Sequence, residues 1–169
     1  MRKIVIIING KGGSGKDTIC DIVAKYFSVI NISSIDPIKQ VAASLGWTGE
    51  KDDSSRLFLS ALKRISSDYN NYPTQYLCKC YEDFLKNESS EILFAHIREP
   101  EQIYLFKNNI RGECITLLIT RASVSDHNND SDDNVDNYHY DYYFDNSGEL
   151  DTLECKFMEF FNLIIGDLK

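Results

Sequence analysis

Residues 3–27 constrain this chain more than any other stretch. Lys3–Asn9 is a run of mostly β-branched residues that ends at Gly10. An unbroken run of this kind reads as a strand buried on both faces, as in a parallel sheet. From Gly15 onward, apolar residues recur at Ile19, Ile22, Val23 and Phe27 with helical spacing. Between the two lies Asn9-Gly10-Lys11-Gly12-Gly13-Ser14-Gly15-Lys16-Asp17-Thr18, in which Gly10, Gly15 and Lys16 match G-x-x-x-x-G-K. Glycines let backbone N–H groups turn inward around phosphate oxygens. The start of the helix adds the positive end of its dipole. Lys16 can reach β and γ phosphates as a mobile point charge. Gly10, Lys11, Gly12, Gly13, Ser14, Gly15, Lys16, Asp17 and Thr18 are the candidate phosphate-binding residues; the competing reading is a chance glycine-rich turn.

One position departs from the motif. A hydroxyl residue usually follows the lysine and ligates Mg²⁺, but here Asp17 stands there, with Thr18 next. A carboxylate is also a hard oxygen donor, so Asp17 is the candidate metal ligand. Its full negative charge beside the phosphates is tolerable when the cation sits between them.

The rest of the chain alternates strands and helices. Val29–Ser33 reads as a strand. Asp36 and Pro37 suit the N-cap and first turn of a helix that Gly46 stops. Asp53–Tyr69, with Leu57, Leu59, Leu62 and Ile65, reads as a helix, and Thr74–Leu85 as another after Pro73. Glu91–Ile97 is a strand, Glu99–Lys107 a helix and Glu113–Thr120 a strand. Residues 122–137 show no periodicity and read as a long loop, a length usually functional. Tyr140–Phe144 is the last strand. The closing helix carries Leu150, Leu153, Phe157, Phe160, Phe161 and Ile164 as its apolar face. This order implies an α/β sheet with helices on both sides.

Ligands of open α/β sheets lie beyond the carboxyl ends of the strands, so the residues standing there are candidates. Arg98 follows one strand and Arg121 another. A guanidinium forks onto phosphate bidentately, which suggests convergent phosphate contacts; the alternative is pairing with local carboxylates such as Glu99. Asp36 follows the second strand, although an N-cap role explains it fully. Lys39 faces either the site or solvent. Arg56, Lys63 and Arg64 fit a solvated helix face, with Arg56 able to reach an acceptor phosphate. His96 reads as a core or edge residue. Tyr138, Tyr140, Tyr142 and Tyr143 read as strand and packing residues. Asp126, Asn128, Asp130 and Asp132 are spaced like a calcium loop, but Ser131 stands where glycine is required and Asn137 where glutamate is.

The charge balance narrows the function classes. The chain has 169 residues and a net charge of −8. Residues 1–121 carry 16 Lys/Arg against 14 Asp/Glu, whereas residues 122–155 carry 10 Asp/Glu and no Lys or Arg. An acidic surface repels phosphate backbones at long range, so nucleic-acid binding is not expected. No apolar run approaches 18 residues, so no membrane span is expected. Five scattered cysteines without a C-x-x-C pair suggest reduced thiols in a cytoplasm.

Five segments occur in a telling order: SGKDT (Ser14–Thr18), DPIKQVAASLGW (Asp36–Trp47), IREPEQ (Ile97–Gln102), TRA (Thr120–Ala122) and DYYFDNSGELDTL (Asp141–Leu153). This order resembles the deoxynucleoside monophosphate kinases of phages and bacteria, within the nucleoside monophosphate kinase-like P-loop kinases. Dephospho-CoA kinase and phosphomevalonate kinase belong to similar groups. The resemblance implies a five-stranded parallel sheet of order 2-3-1-4-5 in one kinase domain, 1–169. It implies an acceptor-binding helical region at about 36–90 and a lid at about 122–137. Carried over by position, Lys16 and the loop amides hold the donor phosphates, Arg98 faces the acceptor phosphate and Arg121 begins the lid. The lid departs from the family pattern in having no arginine or lysine.

The expectation is a cytoplasmic kinase that uses ATP and Mg²⁺ to phosphorylate a (deoxy)nucleoside monophosphate, as a monomer or homodimer. Lys16, Arg98 and Arg121 are its catalytic candidates, and Asp36, Lys39, Arg56 and Arg98 the acceptor-binding ones. The alternatives are a kinase of another phosphorylated metabolite, such as dephospho-CoA, and an ATP-binding regulatory protein without catalysis.

Overall fold

A computed structural model of the protein describes residues 3–122 and 134–167. Five strands, β1 (Ile4–Asn9), β2 (Val29–Ser33), β3 (Ile92–His96), β4 (Cys114–Thr120) and β5 (Tyr142–Asp145), form one parallel sheet in the order β2-β3-β1-β4-β5. The helices are α1 (Lys16–Ala24), α2 (Asp36–Ser44), α3 (Asp53–Asn70), α4 (Tyr72–Lys86), α5 (Pro100–Asn109) and α6 (Leu150–Asp167).

Strand β1 is central, and every residue in it is buried. Its alternation divides the core. Ile4, Ile6 and Ile8 join Ile19 and Val23 of α1 and Phe157, Phe161 and Ile164 of α6. Val5 and Ile7 join Leu77 and Phe84 of α4 and Ile103 and Phe106 of α5. A strand covered on both faces has no use for polar alternation, which is why its sequence is continuously apolar. Each fully buried isoleucine contributes roughly 1.5–3 kcal/mol through burial.

Several boundaries differ from the sequence reading. Helix α1 ends at Ala24, where Lys25 and Tyr26 bond back to Ile22 and Val23 in a tight last turn. Asp36 does not cap α2: the N-cap is Ile35, and the Asp36 carboxylate accepts the N–H of Ser33 at 2.7 Å. It thereby closes the turn between β2 and α2. Helix α2 ends as expected, with Gly46 at φ +97° and the N–H of Trp47 reaching the Ala42 carbonyl. Asp52 caps α3 by accepting the N–H of Ser55.

Helix α3 forms where its spacing predicts, but its apolar residues are unevenly covered: Leu57 and Ile65 are 73% and 61% exposed, and Leu59 and Leu62 are half-buried. The helix packs on α2 and α4 in an outer layer. Polar side chains tie it to α5 instead: Lys63 meets Glu99, and one turn on Gln102 Nε2 donates to Ser67 Oγ at 3.3 Å.

Strand β5 begins at Tyr142, two residues later than its sequence suggests. Asp141 Oδ2 accepts both the N–H and the hydroxyl proton of Thr116, which replaces a strand pairing. The ring of Tyr140 turns into the core. Within the expected loop, Val135–Asn137 is a short 3₁₀ turn. Residues 123–133, which include most of the lid and the calcium-like spacing, lie outside the described residues. No helix among the described residues is long and apolar enough to cross a membrane.

Candidate phosphate-binding site

The loop after β1 has the geometry its glycines allow. Gly10, Gly13 and Gly15 adopt φ values of +149°, +81° and +91°. A Cβ on Gly10 would collide with the Ile119 carbonyl, and one on Gly15 with the Asn146 carboxamide. That carboxamide donates to the Ser14 carbonyl at 2.9 Å, so the turn after β5 holds the loop from outside. The Lys16 ammonium lies along the inside of the loop. It donates to the Gly10 carbonyl at 2.6 Å and the Lys11 carbonyl at 3.0 Å. Helix α1 starts at Lys16 without a side-chain cap, and exposed Asp17 and Thr18 fill its first turn.

Sheet order places the two arginines. The neighbours of β1 are β3 and β4, the strands that Arg98 and Arg121 follow. The arginines therefore stand on either side of the glycine loop. Arg121 lines a cavity of about 220 Å³ with Lys11, Ser14, Leu118, Val135 and Asp136. Asp136 pairs with Lys11 at 3.4 Å, so one carboxylate of the acidic stretch meets the loop directly.

A buried polar chain lies behind the loop. The Asn9 carboxamide is wholly buried; it accepts the Gly10 N–H at 2.8 Å and donates to the Arg98 carbonyl at 3.1 Å and the Tyr140 hydroxyl at 2.7 Å. That hydroxyl donates to the Val135 carbonyl at 2.8 Å. Burial holds the Tyr140 phenol far above its ordinary pKa, so it stays a neutral donor. Sequence reasoning treated Tyr140 as packing and gave Asn9 no role. The available signal was an amide at the end of an otherwise apolar strand, where burial demands partners.

The remaining candidates divide. Asp36 is bound to the backbone at Ser33, as described. Lys39 is exposed on α2. Arg56 is exposed and pairs with Asp53 on its own helix at 3.2 Å. Lys63, expected in solvent, is instead only 13% exposed. Its ammonium donates to Glu99 Oε1 at 2.8 Å, Glu99 Oε2 at 2.6 Å and the buried Ser34 hydroxyl at 3.0 Å. Desolvation lowers the Lys63 pKa, against the pull of Glu99. His96 lies as expected near the core, with Nε2 3.8 Å from Cys20 Sγ, and burial lowers its pKa.

Asp17 fits a magnesium ion bound in the usual way, through one or two carboxylates plus phosphate oxygens. It is exposed, beside Lys16 at the mouth of the loop. No cluster of three or more His, Cys, Asp or Glu side chains that could hold a metal ion occurs among the described residues.

No protein-family model matches the chain, and no curated protein matches it. Solved structures do. A sugar kinase from Janibacter sp. HTCC2649 superposes with a TM-score of 0.56 at 12% identity, covering 95% of each chain. A thymidylate kinase from Candida albicans gives 0.54 at 16% identity, over 96% of this chain and 92% of that one. An APS kinase from Mycobacterium tuberculosis gives 0.51 at 11%, over 96% and 99%. At such identities the likeness establishes the fold: the three-layer α/β architecture of P-loop kinases, with a parallel sheet of order 2-3-1-4-5.

Proposed function

We propose that this protein is an ATP- and Mg²⁺-dependent kinase that transfers the γ-phosphoryl group to the phosphate of a (deoxy)nucleoside monophosphate, acting in the cytoplasm as a single 1–169 domain. The observation that carries this reading is the alignment of three cations along one sheet edge. Lys16 stands after β1, and Arg98 and Arg121 follow the strands on either side of it. A switch GTPase or simple ATPase has no need of a second anion site across the glycine loop from the first. A kinase with a phosphorylated acceptor does.

In this reading the loop N–H groups and Lys16 hold the β and γ phosphates. Arg98 orients the acceptor phosphate and Arg121 neutralises charge from the β4 side. An acceptor oxygen forms a bond to the γ phosphorus as the bond to the bridging oxygen breaks, leaving a diphosphate product and ADP. Little covalent work falls to the protein; positioning and charge neutralisation supply most of the acceleration. Asp17 would hold the Mg²⁺, which supplies charge neutralisation on the donor phosphates. The acidic stretch bears no arginine for the transferring group. It meets the loop through the Lys11–Asp136 pair and the Asn146 carboxamide on the Ser14 carbonyl, an arrangement equally suited to an ATP-binding regulatory protein.

The test is product analysis with ATP, Mg²⁺ and each ribo- and deoxyribonucleoside monophosphate, beside a thermal-shift panel of the same mixtures. Transfer to one monophosphate, with joint stabilisation by that pair, supports the kinase. Stabilisation by ATP alone without transfer supports the regulatory reading. Transfer that survives Lys16→Ala would sink the assignment of the site.

A further inference from the structure

Arg98 is gripped from several sides. Asn9 at the end of β1 holds its carbonyl. Ile97 before it is wholly buried. Glu99 after it is bound by Lys63, and Pro100 then opens α5 with a fixed φ. Lys63 comes from the middle of α3, in the outer helical layer. Its ammonium has three protons to donate. Glu99 accepts through both carboxylate oxygens and Ser34 through its hydroxyl. Ser34 is itself fixed, because its N–H reaches the carbonyl of His96 at the end of β3 at 3.1 Å. One part-buried ammonium thus joins α3, the turn after β2 and the start of α5, beside the arginine of the acceptor side.

An ion pair drawn this far out of water, with side chains only 13% and 23% exposed, is a poor device for stability alone, since apolar residues of similar volume serve as well or better. With its protons engaged, Lys63 is also poorly suited to be a phosphate ligand itself. We infer that Lys63 is a positioning residue: through Glu99 it sets the place of Arg98, so that docking of α3 is transmitted to recognition of the acceptor phosphate and not to binding of ATP. The inference rests on the kinase reading for what Arg98 binds, but not for how Arg98 is held.

Two readouts separate those parts. The first is the Nε–Hε resonance of Arg98 in ¹⁵N spectra, assigned with Arg98→Lys. Lys63→Met is expected to shift or broaden it while the amides of Gly10 and Gly15 stay in place. The second is steady-state kinetics with ATP and whichever monophosphate the panel identifies. Lys63→Met is expected to raise the acceptor KM about tenfold or more, as misplacement by an ångström can. The ATP KM should stay within about twofold, the mark of a selective loss of acceptor binding. Lys63→Arg should recover most of the acceptor affinity. The double variant Lys63→Met/Glu99→Gln removes both charges, so it should regain thermal stability while the acceptor KM stays high. An Arg98 resonance unmoved by Lys63→Met overturns the inference. So does a KM that rises equally for both substrates, or one that recovers together with stability in the double variant. If the wild type phosphorylates no monophosphate, the kinase reading fails, and the Arg98 resonance still decides whether Lys63 positions it.

Discussion

The carboxamide of Asn146 donates to the carbonyl of Ser14 at 2.9 Å and joins the turn after β5 to the glycine loop after β1. The two residues are 132 positions apart in sequence. Asn146 is buried, and its amide occupies the space in which a Cβ on Gly15 would lie. The shape of the phosphate loop is therefore enforced from the far end of the chain.

Asn146→Ala should leave the Ser14 carbonyl without this partner. Orphaning a buried polar group costs about 1–3 kcal/mol. Chemical denaturation should show a loss in that range, and thermal stabilisation by ATP should weaken as the loop loosens. A variant of full stability and unchanged ATP response would show that the contact holds nothing in place.

Gly15→Ala meets two obstacles at once. The residue sits at φ +91°, and the added methyl collides with Asn146. Left-handed backbone alone costs a non-glycine residue on the order of 1–3 kcal/mol. Nucleotide binding should fall further than in a control substitution at Gly49, which also has positive φ but no atom within 4 Å of an added Cβ. Calorimetric titration with ATP on both variants makes the comparison.

Lys16→Met should affect function far more than folding. The ammonium is only half-buried, and it donates to carbonyls and a hydroxyl of the same loop. If transfer occurs as proposed, kcat should drop by roughly 10²–10³, as when one charge-stabilising donor is removed. A melting temperature near that of the wild type would confine the effect to chemistry.

Two apolar helical residues should behave oppositely. Phe157 of α6 is fully buried against the sheet, so Phe157→Ala should cost about 3–5 kcal/mol. Leu57 of α3 is 73% exposed, and Leu57→Ala should stay within about 0.5 kcal/mol of wild type. Equal losses from urea denaturation would mean that α3 is packed differently.

His96 sets a pH dependence. Its pKa lies below the ordinary 6.5 because burial disfavours the charged ring. The unfolded chain therefore takes up this proton first as pH falls. Stability should be fully present above about 6.5 and decline as pH drops from there toward the folded-state value. Unfolding free energies of His96→Gln measured from pH 7 to 5 should fall less steeply than those of the wild type.

Much of the fold was readable from the chain because it rests on local rules. The continuous apolar run of β1 could only be a doubly covered strand, and the glycine spacing after it could only suit a tight loop. Trp47 closes on Ala42 behind Gly46 as helix-stop chemistry requires. Asp36 and Lys63 were misjudged for a common reason. A carboxylate beside a proline satisfies the same local pattern whether it caps its helix or reaches back to Ser33. A lysine on an amphipathic helix looks solvated until a partner such as Glu99, 36 residues away, is known to stand opposite.

By itself, then, the sequence determined which segments are strands and helices, the loop that can surround phosphate, and the cations Lys16, Arg98 and Arg121 that follow strands. These depend on side-chain period, glycine freedom and residue type within a few positions. Only the tertiary structure decided that Lys63 is drawn largely out of solvent, that Asn9 and Tyr140 share a polar chain, that Asn146 braces the loop, and that Leu57 and Ile65 of α3 face outward. Each of those is a pairing between distant segments, and the free energy of a buried charge or amide is set by the partner it meets, which no local pattern encodes.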